Sequence, residues 1–590
     1  MGKVLVRILA VIGGLAIFGL AVGLGVAALM RASKGSVASK TILKVDLEQG
    51  IIEDVPDDPV AAYTLKDTPV MRDLVDALEK ARDDSRVVGL VARVGAAPLG
   101  MAQVQELRNA VIAFRAKKKP AVAYAETFGE FGPGGGAYYL ATAFDEIWLQ
   151  PSGDIGLTGV ILESPFARGT LDKLGLKPRM DHRYEYKNAM NFYTEKKYDP
   201  YHKEAMEKLM NSWFSQLVKG ISESRHLTES QVKALVDKGP FLGKEAQAAG
   251  LVDGMGYRDE IYANMRKKAG GNARFLDLDE YLKRAGRPHA SGKTIALIFG
   301  VGVVSRGDGG YSPFSGEEVM GSDHVTAAFR QALKDPAVKA ILFRVDSPGG
   351  SYVASDSIWR ETLRAKKVGK PVVVSMGNLA GSGGYFVAMA ADKIVAQPGT
   401  ITASIGVLGG KMLTSDFWDK VGISWDEVHT SANSTFWTGT HDYSQAQWAR
   451  FEAWLDRVYE DFTGKVAEGR KLPKEKVLQI AKGRIWTGQD AKELGLVDEL
   501  GGFPEALRLV KKAAGIPEKE EVNVKIYPPK KTLFQMFFEE GPHGSEPEEA
   551  ALATFSKGLK EIQPYVRRIQ MLARGTEAGV LTMPPVEGQP

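Results

Sequence analysis

At 590 residues the chain is far longer than one hydrophobic core needs, so several domains are expected. Its 76 basic and 72 acidic residues are spread along the chain and leave a formal net charge of +4, which makes no case for nucleic-acid binding. Cysteine is absent, which excludes disulfides, thiolate metal sites and a cysteine nucleophile; the eight histidines form no H-E-x-x-H cluster, so no metal or other cofactor is expected.

The chain opens with Lys3 and Arg7, followed by an apolar run over residues 8–30 that ends at Arg31 and Lys34. A helix of that length, at about 1.5 Å per residue, spans the roughly 30 Å of bilayer hydrocarbon. Residues 1–34 are therefore read as an uncleaved single-pass membrane anchor, although Gly25-Val26-Ala27 is small enough for signal cleavage. Counting the charges on either side, with Arg31, Lys34, Lys40 and Lys44 following the run, leaves the body in the cytoplasm.

Beyond a short linker the sequence repeats itself. Arg93-Val94 and Lys119-Pro120 recur 251 residues later as Arg344-Val345 and Lys370-Pro371. Gln150-Pro151 and Gly159-Val160 recur at 247 as Gln397-Pro398 and Gly406-Val407, and Gly250-Leu251-Val252-Asp253 recurs at 245 as Gly495-Leu496-Val497-Asp498. So long and steady an offset predicts duplication of a whole domain, with copies at residues 41–285 and 290–526. Short Val/Ile-rich runs alternate with helical stretches in each copy, the pattern of βαβ units around a largely parallel sheet. Functional groups in such sheets collect at the carboxyl ends of the strands.

Two glycine-rich turns fall at strand ends of the second copy. Asp346-Ser347-Pro348-Gly349-Gly350 follows the first, and Ala380-Gly381-Ser382-Gly383-Gly384 separates a strand at residues 372–374 from a helix at residues 385–391. Ser382 can stand clear of neighbouring side chains there, and the N–H groups of Gly349, Gly350 and Gly383 can make an oxyanion hole. A tight turn whose serine caps a helix reads the same way. Ala380-x-Ser382-x-Gly384 is close to the G-x-S-x-G elbow, whose histidine partner would have to be His429, His441 or His543. The alternative base is a lysine kept neutral by burial.

Comparing the copies favours a lysine. Ser382 aligns with Gly135 in the first copy, whereas Lys187, in Tyr184-Glu185-Tyr186-Lys187-Asn188, aligns with Ser434 in the second. One copy has the serine without the lysine and the other the lysine without the serine. Free lysine, with a pKa of about 10.4, is neutral in only about 1 part in 2,500 at pH 7, so such a base needs burial.

These residues resemble the long form of the bacterial signal peptide peptidase family, Ser/Lys peptidases of the Clp-protease/crotonase superfamily. The resemblance rests on D-S-P-G-G at residues 346–350, G-S-G-G-Y at 381–385, T-A-S-I-G-V at 402–407 and Y-K-N at 186–188. It implies an α/β fold of two tandem Clp-protease/crotonase-like domains behind a transmembrane helix, with Ser382 as nucleophile, Lys187 as general base and Ser404 as the serine that holds the lysine. It also implies an endopeptidase that degrades cleaved signal peptides and other unfolded apolar peptides. Assembly would be a homotetramer on the cytoplasmic membrane with its body on the outer, periplasmic side, against the charge count. Two other readings stand beside it: an acyl-CoA enzyme of the crotonase type, which needs a reacting carboxylate, and a degenerate membrane scaffold. Residues 527–590 are expected to form an extension packed on the body, ending in a loose tail.

Overall fold

The computed structural model describes residues 35–95, 99–312, 314–530, 580–582 and 587–589. The expected anchor at 1–34, His543 and most of the C-terminal extension lie outside them. Among the described residues no helix is long and apolar enough to cross a membrane.

The architecture is mixed α/β, built on two parallel sheets that repeat one strand order. The first runs Arg274–Asp277, Thr41–Asp46, Val87–Arg93, Ala121–Ala125, Glu146–Leu149, Gly254–Met255. The second runs Val522–Ile526, Lys293–Val301, Val338–Ser347, Val372–Gly381, Lys393–Ala396, Glu499–Leu500, extended by Ile401–Ala403 and Ile485–Thr487. Val372, Val373 and Val374 are fully buried because both faces of this sheet are covered. Val372 and Val374 pack into the main core of the second half, and Val373 into the layer under the helix Phe503–Ala513.

The repeat extends to fine detail. Each half carries a 26-residue helix, Pro200–Arg225 and Gln445–Arg470. Asp199 and Ser444 cap their N-termini by accepting N–H groups three residues on, and each ends on a left-handed residue, His226 or Lys471. Tyr138 and Tyr385, on the short helices Gly135–Ala141 and Gly383–Ala388, donate their hydroxyls to Leu251 O and Leu496 O.

The halves are interlocked rather than strung in line. Lys177–Arg183 of the first pairs antiparallel with Val407–Leu413 of the second, Arg183 facing Val407. Arg344 is buried between Glu53 and Glu106 of the first half, 2.8 Å from each, and donates a third bond to Ser375 Oγ. A buried guanidinium without a counter-charge would be costly there; two carboxylates and one hydroxyl around it satisfy it.

Two expectations need adjusting. The strand expected at 372–374 continues to Gly381, because Leu379–Gly381 pair with Ile401–Ala403 after a register shift, and the helix begins at Gly383 rather than Tyr385. The C-terminal end is also not loose throughout: Val580–Thr582 and Glu587–Gln589 both pair with strands of the body.

Candidate active site

Ser382 occupies the single residue between the end of its strand and the start of its helix. Its backbone is held at φ 53°, ψ −112°, a region that residues with a Cβ seldom adopt, and hydrogen bonds fix it there. Ser382 N–H donates to Ala403 O at 2.7 Å, and its carbonyl accepts Phe386 N–H at 2.8 Å. Glycine is required just beyond. A Cβ on Gly383 would stand 2.9 Å from Gly350 N and 3.1 Å from Gly349 Cα, and one on Gly384 would stand 2.6 Å from Ser347 O. The two glycine turns thus touch at the serine. Gly349 N–H donates to Ser347 Oγ at 3.1 Å, so this expected oxyanion donor is engaged within its own turn.

Lys187 reaches this point from the other half. It follows the strand Lys177–Arg183, whose pairing with Val407–Leu413 delivers the next turn to the end of the second sheet. Lys482 O accepts the N–H groups of Tyr184 and Tyr186, and the adjoining Gly483, at φ 83°, comes so close that a Cβ on it would stand 2.5 Å from Lys187 Cα. Tyr186 donates its hydroxyl to Glu204 at 2.7 Å while Arg484 lies 4.6 Å over its ring, which fixes the turn from outside.

Lys187 Nζ lies 2.7 Å from Ser382 Oγ and 3.0 Å from both Ser404 O and Ser404 Oγ. Lys187, Ser382 and Ser404 are all 0 % exposed. Burial, with none of these neighbours charged, pushes the lysine pKa well below its usual 10.5. A neutral amine suits the set: two N–H groups serve Ser404 O and Oγ, and the lone pair accepts the Ser382 hydroxyl proton. Ser404, at φ 51°, donates its N–H to Arg484 O at 2.9 Å, with its hydroxyl 3.4 Å from Gly483 O.

Asp346, which opens the glycine turn, is buried and accepts Leu379 N–H at 2.8 Å; burial pushes its carboxyl up to about 7. Sequence reasoning named Asp346 and Arg344 only within a motif and a repeat, and passed over Gly483. Lys482-Gly483 has a counterpart in Lys238-Gly239, a signal that could have marked it.

The other candidates are elsewhere. His429 and His441 are exposed, His429 3.0 Å from Ser431 O and His441 2.8 Å from Glu427. Ser434 is exposed and bonds to Ser431. Gly135, the counterpart of Ser382, opens the buried helix of the first half.

A family model described as peptidase family S49 matches residues 113–272 and 364–517. Protease 4 of Salmonella typhi is 31% identical over 478 residues, which cover 79% of this chain and 75% of that protein. Protease 4 of Haemophilus influenzae is 32% identical over 74% of this chain and 71% of its own length. The chloroplastic serine protease SPPA of Arabidopsis thaliana is 29% identical over 75% of this chain and 66% of its own.

Proposed function

The chain belongs to peptidase family S49 and is a serine protease, and from that premise we propose that it hydrolyses peptides through a dyad of Ser382 and Lys187 drawn from its two halves. The observation that carries the reading is the 2.7 Å contact between Lys187 Nζ and Ser382 Oγ, with both groups buried.

In this mechanism neutral Lys187 takes the Ser382 proton as Oγ attacks the substrate carbonyl. N–H groups of Gly383 and Gly350 stabilise the oxyanion, joined by Gly349 when Ser347 releases it. The lysine, now an ammonium, protonates the departing amine as the C–N bond breaks. Water then attacks the acyl-enzyme, Lys187 takes its proton, and Ser382 leaves as the free hydroxyl. Ser404 holds the amine throughout through two bonds.

The motif resemblance extends the reading to substrate and setting: residues 41–285 and 290–526 as tandem Clp-protease/crotonase-like domains, residues 527–590 as an extension, and residues 1–34 as the anchor of a periplasm-facing homotetramer. Unfolded apolar peptides, cleaved signal peptides among them, are the substrates. Ser382→Ala should abolish cleavage of a signal-peptide sequence, and chelators should leave the wild type unaffected. Activity that survives Ser382→Ala would favour acyl-CoA chemistry; zinc-restored activity after chelation would refute the dyad. Protease added to spheroplasts should digest the body; protection until lysis would place it inside.

A further inference from the structure

We propose that Trp213 and Gln105 of the first half are positioning residues of the reaction, which grip the turn that sets Ser404 against Lys187; this rests on the reading of Ser382 and Lys187 as the dyad. The turn is Gln397-Pro398-Gly399-Thr400, and it leads directly into the strand Ile401–Ala403. First-half side chains hold it. Trp213 Nε1 donates to Gly399 O at 2.9 Å, and Gly399 N–H donates to Gln105 Oε1 at 2.7 Å. Gln216 Nε2 donates to Pro398 O at 3.2 Å, and Asn109 Nδ2 to Gln397 Oε1 at 3.4 Å. Gln105 in turn donates to Gln216 Oε1 at 2.7 Å, so the two amides brace each other. Gly399 is buried, and both its backbone groups find their partners across the boundary between the halves.

The turn carries the shelf on which the dyad rests. Thr400 Oγ1 donates to Gly377 O and Thr402 Oγ1 to Ala380 O, both at 2.8 Å, on the strand that ends beside Ser382. Ala403 O accepts Ser382 N–H, and Ser404 supplies the two oxygens that hold Lys187 Nζ. A shift of the turn therefore moves the serine and the holder of the amine relative to one another, and misplacement by about 1 Å can cost about 10²-fold in rate.

Comparing the halves separates the grip from general packing. At the offsets that match the helices, 251 for Met101–Arg115 and 245 for Pro200–Arg225, Gln105 becomes Asp356, Asn109 becomes Arg360, Trp213 becomes Val458 and Gln216 becomes Asp461. Asp356 and Asp461 instead bind Lys465 of their own half. The gripped turn differs to match. Gly399 stands where the first copy has Ser152, and a Cβ on it would stand 2.4 Å from Met101 Cγ and 3.0 Å from Gln105 Oε1. Glycine is thus found in the copy whose turn the other half approaches closely.

The test is kinetic and uses the full chain. Trp213→Phe keeps an aromatic ring and removes the N–H, which leaves a buried carbonyl without its donor. Gly399→Ala pushes the turn away from the other side of the contact. Each is assayed on a fluorogenic apolar peptide, with kcat counted per serine titrated by a fluorophosphonate so that unfolded chains drop out. Both should lower kcat by a factor of about 10 to 10² and leave KM unchanged, because the defect lies in how the dyad is aligned. A double-mutant cycle then asks whether Trp213 acts through Ser404. Ser404→Ala keeps the Ser404 O acceptor and so a residual rate; in that background Trp213→Phe should cost much less than in wild type. An equal factor in both backgrounds, an unchanged kcat in both variants, or a rise in KM alone would overturn the proposal. Lys187→Ala assayed alongside separates the two claims: full turnover there overturns the dyad and the grip with it, whereas an inactive Lys187→Ala with an additive cycle overturns the grip alone.

Discussion

At the scale of single residues the account depends on a lysine without a counter-charge. Lys187→Ala should lower kcat by about 10²–10⁴, the usual worth of a general base, and Lys187→Arg should not restore it because guanidinium keeps its proton. The wild-type rate should rise with pH to a plateau reached well below 10.5, the direction in which burial moves this group. The same burial costs stability. Below the ordinary lysine pKa the unfolded chain binds a proton that the folded chain does not, so this group's contribution improves as pH rises. Lys187→Met should therefore melt at a higher temperature than wild type at neutral pH, by a margin that shrinks as pH approaches 10.5. Asp346 has the opposite sign. Its carboxyl, raised from 3.8 to about 7, stabilises the fold most below pH 3.8 and loses that contribution as pH rises to about 7. Urea midpoints of Asp346→Asn should lack that slope while the Leu379 N–H keeps an acceptor; an unchanged slope would assign it to another group. Comparing the two copies could single out Lys187, because each lacks what the other keeps. The same comparison matches Lys482-Gly483 to Lys238-Gly239, but not the reason for the glycine, since the close approach that requires it is made by a backbone some 300 residues away in sequence.

At the scale of elements, the repeat and the alternation of strands with helices were legible in the sequence. The offset of 245 residues at Gly250-Leu251 and Gly495-Leu496 reappears as two helices of equal length with matched caps. The extension of the serine strand from Val374 to Gly381 was hidden, because Gly377 and Asn378 interrupt the apolar run. They instead form a shift in register that Asp346 and Gln103 bridge, the first accepting Leu379 N–H and the second donating its N–H to Asn378. The contacts between halves carry their own test. Arg344→Met would leave Glu53 and Glu106 buried together without their cation, at a cost of about 3–5 kcal/mol. Urea unfolding should show that loss; a change under about 1 kcal/mol would mean that water reaches the cluster.

At the scale of the whole molecule, the proposed dyad needs both halves: the serine turn and the lysine turn are brought together by the antiparallel pair Lys177–Arg183 and Val407–Leu413 and by the bonds of Tyr184 and Tyr186 to Lys482 O. Little of that meeting was legible beforehand, because strand edges pair through backbone groups that every residue carries. The same holds for the tail, whose partner no composition or spacing announces. A chain beginning near residue 35 should stay soluble and active if residues 1–34 only anchor it; membrane recovery of that chain would give the body a membrane contact of its own. The central claim is that Lys187 activates Ser382, and its most direct measurement is peptide mapping after reaction with a fluorophosphonate. The adduct should lie on Ser382 in the wild type and be nearly absent in Lys187→Ala. An adduct on another serine, or undiminished labelling without the lysine, would contradict it.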